Sequence, residues 1–491
     1  LYTHQTTAVE ASVRGEHVRV VTPTASGKTL RYNVPVRNQL ITNPNARALY
    51  LFPTKALSQD QVHELQAVIE GLELKIGTFT FDGDTPQSAR RSIKSAGHIV
   101  VTNPDMLHTG ILPHHTTWIR LFENLEYIVI DELHHYRGVF GSHLANVIRR
   151  LKRICAFYGS KPKFICCSAT IANPQEVAQK IIEEPVTLVN ENGAPSGERH
   201  FLFYNPPVVN RELGIRMPVV KEVTRIAKSF LQKDIQSIVF ARSRLRVEIL
   251  TTYIKEAVKK LGKNPDLVKG YRGGYLPLER RDIEKGLRDG KIMTVISTNA
   301  LELGIDIGGL DVCIMTGYPG NVASTWQQAG RAGRRNTVSL TILVASSAPL
   351  DQYIIGHPEY FFEQTPENAT VDPNNLSIVM SHLKCGAFEL PFTDDESLGL
   401  DSAATQGMAR LVEEAAGAAA DGRAGACGES GGDEGRGRDR RGGPVRGAGG
   451  GVRERDLYAP GAAIHDRPAG FGRPQGVCAA GRDGLLHGRA D

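Results

Sequence analysis

Four groups of residues in this chain have the types and spacing that phosphate chemistry needs. TPTASGKT (22–29) directly follows the apolar run HVRVV, and a loop so placed turns backbone N–H groups toward phosphates at a helix start. Thr24, Ala25, Ser26, Gly27, Lys28 and Thr29 form the nucleotide-binding set. Gly27 allows close backbone approach, Lys28 reaches the β- and γ-phosphates, and the Thr29 hydroxyl ligates Mg²⁺. Thr22 stands where the commonest form of such a loop has Gly. YIVIDELHHY then puts Asp131 and Glu132 at the tip of an apolar strand, where paired carboxylates are costly unless a cation compensates. Asp131 would hold Mg²⁺ and Glu132 would orient and deprotonate an attacking water. His134 completes the box, and His135 reads as a packing or surface residue.

SAT (168–170) follows at another strand end, where Ser168 and Thr170 can relay the state of the acidic box. Alone the triplet means nothing; after GKT and DELH it means a good deal. QQAGRAGRR (327–335) offers Arg331 and Arg334 as fingers for the γ-phosphate and Gln327 as a positioner of water, with Arg335 pairing locally. The bland alternatives are a chance loop, helix-capping acids and a basic surface patch. A kinase or transporter ATPase is disfavoured, since neither needs SAT followed by QxxGRxGR.

Elements able to position these groups are legible as apolar, β-branched runs separated by helix-length segments. The first series is 17–21, 48–52, 98–102, 127–131 and 163–168; the second is 236–241, 292–298, 311–317 and 340–346. Such runs indicate buried parallel strands in βαβ units. Two series predict two α/β lobes, 1–195 and 196–365, with nucleotide held in the cleft between them. Residues 366–400 read as a turn and an amphipathic helix that begin an accessory region.

A length of 491 residues exceeds one core, and 41% hydrophobic with 23% charged residues is ordinary globular composition. No apolar run approaches the roughly 18 residues of a membrane span. The net charge of +5 does not decide between a basic groove and an unremarkable surface. None of the seven cysteines forms a CxxC pair, so a zinc ribbon has no support, and the odd count suggests a reducing compartment.

In order, LYTHQ, TPTASGKT, PTKALSQDQ, TNPDML, DELH, SAT, FARSR, YRGGYLPLERR, STNALELGIDIGGLD and QQAGRAGRR resemble the motifs of superfamily 2 helicases over residues 1 to about 335. In detail they resemble the bacterial YprA/MrfA-type DEAD/DEAH helicases, relatives of fungal RecQ-four-like enzymes. The resemblance implies two RecA-like lobes and a 3′-to-5′ DNA helicase with DNA-dependent ATPase activity, acting in repair, cytoplasmic and nucleoid-associated on DNA. It implies that Gln5 reads adenine, with Tyr2 near the base, and that Asp306 senses the nucleotide. It further implies that Thr54, Lys55, Thr102, Asn103, Arg242, Ser243, Arg272, Gly273 and Thr298 lie along the nucleic-acid backbone, gripping without reading sequence. The rivals are an RNA helicase on the same lobes and a truncated, ATP-gated binding module that does not unwind. The family carries a C-terminal domain with four cysteines proposed to bind metal; the resemblance fades near residue 400, and Cys427 and Cys478 have no ligand-like neighbours, so such metal binding is not expected of these residues. From 401 onward, 22 Gly and 13 Arg among 91 residues and no lysine predict a disordered tail. It is either an Arg/Gly-rich nucleic-acid-binding segment or, as the abruptness favours, a frame-shifted one.

Overall fold

The computed structural model describes residues 1–21, 27, 29–169, 171–195, 197–302, 307–333, 338–363, 368–393 and 396–400, scattered positions from 404 to 410, and the stretches 478–480 and 485–490. The first sheet comprises β1 (Val18–Val21), β2 (Arg47–Leu51), β3 (Thr78–Thr80), β4 (Ile99–Thr102), β5 (Leu125–Ile130), β6 (Lys163–Ser168) and β7 (Thr187–Val189). Their order is β3-β4-β2-β5-β6-β1-β7, with every pairing parallel.

In the second sheet β8 (Arg199–Tyr204) is joined, after a small antiparallel hairpin of β9 (Val208–Asn210) and β10 (Ile215–Arg216), by β11 (Ser237–Phe240), β12 (Val268–Tyr271), β13 (Thr294–Ser297), β14 (Val312–Thr316) and β15 (Ser339–Val344). The parallel order is β12-β13-β11-β14-β15-β8. Beyond β8, two short strands β16 (Cys478–Ala480) and β17 (Leu485–Ala490) add antiparallel, β17 against β8. These are two parallel RecA-like α/β lobes. The expectation of a disordered tail otherwise lies outside the described residues, and β16 and β17 are the exception to it.

The strands are buried on both faces, as parallel sheets flanked by helices must be. On β2, Leu49 and Leu51 join one apolar cluster while Ala48 and Tyr50 join the other. Helices used below are α1 (Thr3–Val13), α2 (Thr29–Thr42), α3 (Lys55–Gly71), α4 (Gly138–Phe157), α5 (Pro174–Ile182), α6 (Arg244–Lys259), α7 (Pro277–Arg288), α8 (Val322–Ala329) and α9 (Leu376–Glu389). In α4 the buried Leu144, Val147, Ile148, Leu151 and Ile154 recur at helical spacing. Each contributes about 1.5–3 kcal/mol by leaving water.

The opposite side of α4 is basic, and α9 covers it. Arg150 is ion-paired with Glu389, both essentially inaccessible, and its Nη1 lies 2.7 Å from His108 Nδ1 and 3.1 Å from His382 Nδ1. His143 Nδ1 is 3.0 Å from His382 Nε2. Arg153 pairs with Glu396 and donates to the Gly386 carbonyl at 2.6 Å, and Arg149 donates to Glu183 and Asn374. Burial first, then the Arg150 charge, pushes His108 down to about 4 and His382 down to about 3; burial also lowers His143.

The folded chain therefore binds fewer protons than the unfolded chain below the ordinary histidine value of 6.5. The rings contribute stability that is complete above pH 6.5 and declines as pH falls toward 3. Amides of α9 are expected to lose hydrogen-exchange protection between pH 7 and pH 5 before those of β5. Equal protection of both elements at the two pH values would contradict this.

Candidate active site and nucleic-acid face

The acidic box closes the central strand of the first sheet. Asp131 N–H continues the ladder to Leu51 O at 3.0 Å, after which Glu132 turns left-handed at φ 49°. That conformation costs a non-glycine residue about 1–2 kcal/mol, and strain of this kind collects at functional sites. It carries both carboxylates, each 8% exposed, to the strand tip. Asp131 Oδ1 accepts from Glu132 N–H at 2.8 Å, and Asp131 Oδ2 is 3.2 Å from the Tyr32 hydroxyl. Burial, reinforced by Asp131, holds the Tyr32 phenol well above its ordinary pKa, so it serves the carboxylate as a neutral donor. The Thr29 side chain lies beside the same phenol, near Asp131. A hydroxyl and a carboxylate are the hard oxygen donors Mg²⁺ takes when phosphates complete its shell. Among the described residues no group of three or more His, Cys, Asp or Glu is placed to hold a metal.

Gln5, 2% exposed, uses both ends of its amide: Oε1 accepts from Tyr2 N–H at 2.9 Å and Nε2 donates to Gly27 O at 3.0 Å. Gly27 has φ 74°, and a Cβ there would meet Gln5 Nε2 at 2.6 Å, so this position needs glycine for conformation and for space. Thr24, Ala25, Ser26, Lys28, Thr170, Asp306 and Arg334 lie outside the described residues.

From the second lobe, Gln327 on α8 brings its carboxamide into hydrogen-bonding contact with His134 Nε2. Ala169 N–H donates to His134 Nδ1 at 3.2 Å, and Glu132 Oε2 is 3.4 Å from the same nitrogen. An imidazole that accepts at Nδ1 carries its proton on Nε2, which the Gln327 carboxamide accepts through Oε1 once its nitrogen and oxygen ends are exchanged. One ring thus touches the acidic box, the SAT strand end and the second lobe. Arg331 instead donates from Nη2 to Glu302 O at 2.9 Å within its own lobe.

Residue-type reasoning missed three participants. Arg19, wholly buried on β1, donates from Nη2 to Ser168 Oγ at 2.5 Å, and burial lowers it to about 10 while Asp131 and Glu132 favour its charge. Glu302 accepts from Ser324 Oγ at 2.6 Å and Gln328 Nε2 at 2.9 Å, tying STNALELGID to α8; burial raises its pKa. Tyr32 is the third. The available signal for the first two was a lone charge within an apolar run.

The remaining expected contacts share a place. Thr54 and Lys55 follow β2, Asn103 follows β4, Arg242 and Ser243 follow β11, Arg272 and Gly273 follow β12, and Thr298 follows β13. These are adjacent strands, β4-β2 and β12-β13-β11, all presenting their carboxyl ends, where α/β sheets bind ligands. Several are helix caps: Thr54 accepts from Leu57 N–H, Asn103 from Met106 N–H and Ser243 from Arg246 N–H. Lys55 pairs with Asp84 at 3.1 Å, Arg242 with Asp351 at 2.8 Å and Arg272 with Glu248 at 2.6 Å. Thr102 is a correction: its side chain is fully buried and its hydroxyl donates to Phe81 O at 2.6 Å, which leaves no hydroxyl for a strand.

Comparison with known proteins agrees with this architecture. Residues 2–177 match the DEAD/DEAH box helicase family and residues 221–336 the helicase conserved C-terminal domain. The chain therefore belongs to the DEAD/DEAH-box helicases of superfamily 2, in their YprA/MrfA-type branch. It is 62% identical over 400 residues to YprA, an uncharacterized ATP-dependent helicase of Bacillus subtilis (strain 168), covering 81% of this chain and 53% of that protein. The ATP-dependent helicase HRQ1 of Saccharomyces cerevisiae is 41% identical over 402 residues, covering 79% of this chain and 37% of that one. A crystal structure of the DUF1998 helicase MrfA bound to DNA and AMPPNP superposes with a TM-score of 0.81 at 60% identity, covering 84% of this chain and 58% of that one. The chain thus spans about half the length of YprA and MrfA, and less of HRQ1. No helix among the described residues is long and apolar enough to cross a membrane.

Proposed function

We propose that the chain is an ATP-driven DNA helicase motor that hydrolyses ATP in the cleft between its lobes and tracks 3′ to 5′ along one strand in DNA repair, at the nucleoid of the cytoplasm. The observation that carries this reading is the contact of Gln327 with His134, because it joins the second lobe to the acidic box directly. Glu132 accepts the proton of the attacking water, Lys28, Arg331 and Arg334 take the charge of the transferred phosphoryl group, and Gln327 and His134 report its presence across the cleft. Thr29 and Asp131 would hold Mg²⁺, which neutralises phosphate charge when bound. Arg331 reaches this role by leaving the Glu302 carbonyl, so its movement belongs to lobe closure.

The strand lies on the carboxyl ends of β4-β2 and β12-β13-β11, where Lys55, Asn103, Arg242, Ser243, Arg272, Gly273 and Thr298 supply phosphate contacts. Closure displaces one set against the other, and hydrolysis releases the grip, so one ligand favours one of two states. DNA bound in the MrfA structures favours DNA over RNA as the strand. Strand displacement from partial duplexes tests this. A DNA duplex with a 3′ overhang is expected to be unwound in ATP. Preference for RNA duplexes would replace the reading with an RNA helicase, and hydrolysis without displacement would reduce it to an ATP-gated binding module.

A further inference from the structure

Residues 369–373 lie beyond both matched family segments and beyond the second sheet, yet they are seated on the first lobe behind the acidic box. Asn173, five residues after Ser168, brackets Ala369: its Nδ2 donates to Ala369 O at 3.0 Å and its Oδ1 accepts from Ala369 N–H at 2.9 Å. One residue on, Thr370 O accepts from Gly138 N–H at 2.6 Å. Gly138 opens α4, whose N-cap residue Arg137 makes no side-chain cap, so this carbonyl satisfies an otherwise orphaned helix-terminal donor. Val371 is buried against Gly141, where a Cβ would stand 2.8 Å from Val371 Cγ2. Asp372 N–H donates to Ser142 Oγ at 3.0 Å, and Pro373 O accepts from Asn146 Nδ2 at 2.9 Å.

One short strand of chain thereby holds the segment that follows DELH and the segment that follows SAT. Those segments continue directly from Glu132 and His134 on one side and from Ser168 and Ala169 on the other. The same chain arrives from the second lobe, where Phe361 stacks on Trp326 at 5.0 Å, one residue before Gln327.

We propose that residues 369–373 are a positioning strap for ATP hydrolysis, with Asn173 and Ser142 as its anchoring side chains. By fixing the start of α4 against the start of α5, the strap sets the separation of the acidic box from the SAT strand end. His134 must meet Ala169, Glu132 and Gln327 together, and it can do so only at one such separation. The anchors act through His134. The proposal rests on the reading of the acidic box as the hydrolysing site.

The test compares the full chain with its Asn173→Ala/Ser142→Ala double variant. Single-stranded DNA-stimulated ATP turnover is measured against ATP concentration and unfolding is followed in parallel. The expected result is a fall in kcat of about tenfold, since a small misplacement of catalytic groups acts on rate, with KM for ATP unchanged and the chain still fully folded at the assay temperature, though its unfolding transition is lowered by the lost hydrogen bonds. Ser142→Thr, which keeps the hydroxyl, is expected to retain parental kcat. An unchanged kcat in the double variant overturns the proposal, and so does a loss of kcat matched by loss of folded protein. Glu132→Gln runs alongside: if it abolishes turnover while the double variant keeps it, the strap alone fails. If Glu132→Gln also retains turnover, the reading of the box fails first.

Discussion

Glu132→Gln is expected to lower ATP turnover by about 10²–10⁴-fold, the usual contribution of a positioned general base, while ATP still binds. The amide preserves the size of the side chain and its left-handed backbone, so the strand tip that carries Asp131 is retained. What it removes is the ability to take a proton from water. Asp131 does not take over that proton, because in this account its carboxylate is committed to Mg²⁺, steadied by the Glu132 N–H and Tyr32. Single-turnover hydrolysis alongside equilibrium binding of a fluorescent ATP analogue separates the two effects. Turnover within a few-fold of the parent would remove Glu132 from its role.

The second large effect is expected at the contact between the lobes. Gln327→Ala removes the second-lobe partner of the buried His134 ring, at a cost of about 1–3 kcal/mol. Because that contact joins the second lobe to the acidic box, the loss falls on the coupling between the lobes. A penalty of that size corresponds to roughly a 10- to 100-fold drop in DNA-stimulated kcat. His134→Ala should cause a similar drop. If the two side chains act as one unit, the double variant loses no more than either single one. Fully multiplicative losses would mean that they serve independent purposes and that the contact does not transmit.

The fold was legible where strands are buried on both faces. All nine apolar runs fall on strands, within two residues at each end, because a parallel strand packed between helices has no polar face to confuse the pattern. The strands that escaped are of another kind. Thr78–Thr80, Val268–Tyr271 and Thr187–Val189 are short and lie at sheet edges, where one side of the ladder is open and composition is freer. Arg199–Tyr204 also escaped, adjoining the polar stretch read as a boundary between lobes.

At the site, residue order pointed to Gln5, Gly27, Asp131, Glu132, His134 and Gln327; the structure pairs Gln5 with Gly27, and His134 with Glu132 and Gln327. Arg19 stayed hidden because a single arginine in HVRVV carries no motif; only β1-to-β6 pairing puts it beneath Ser168. Thr102 misled for the converse reason, since a hydroxyl in TNPDML gives no sign of facing inward to Phe81 O. The strap was invisible because its partners at Gly138, Ser142 and Asn173 lie roughly 200 residues away in sequence and the strap itself bonds through backbone N–H and C=O groups, which residue types do not mark.

The most direct measurement is steady-state ATP hydrolysis by the full chain with saturating single-stranded DNA, with RNA of equal length, and with neither. An ATP-driven DNA motor predicts strong stimulation by DNA, abolished in Glu132→Gln and lowered in Gln327→Ala. A rate indifferent to DNA, with both variants unchanged, would contradict the account of an ATP site coupled through His134 to strand binding.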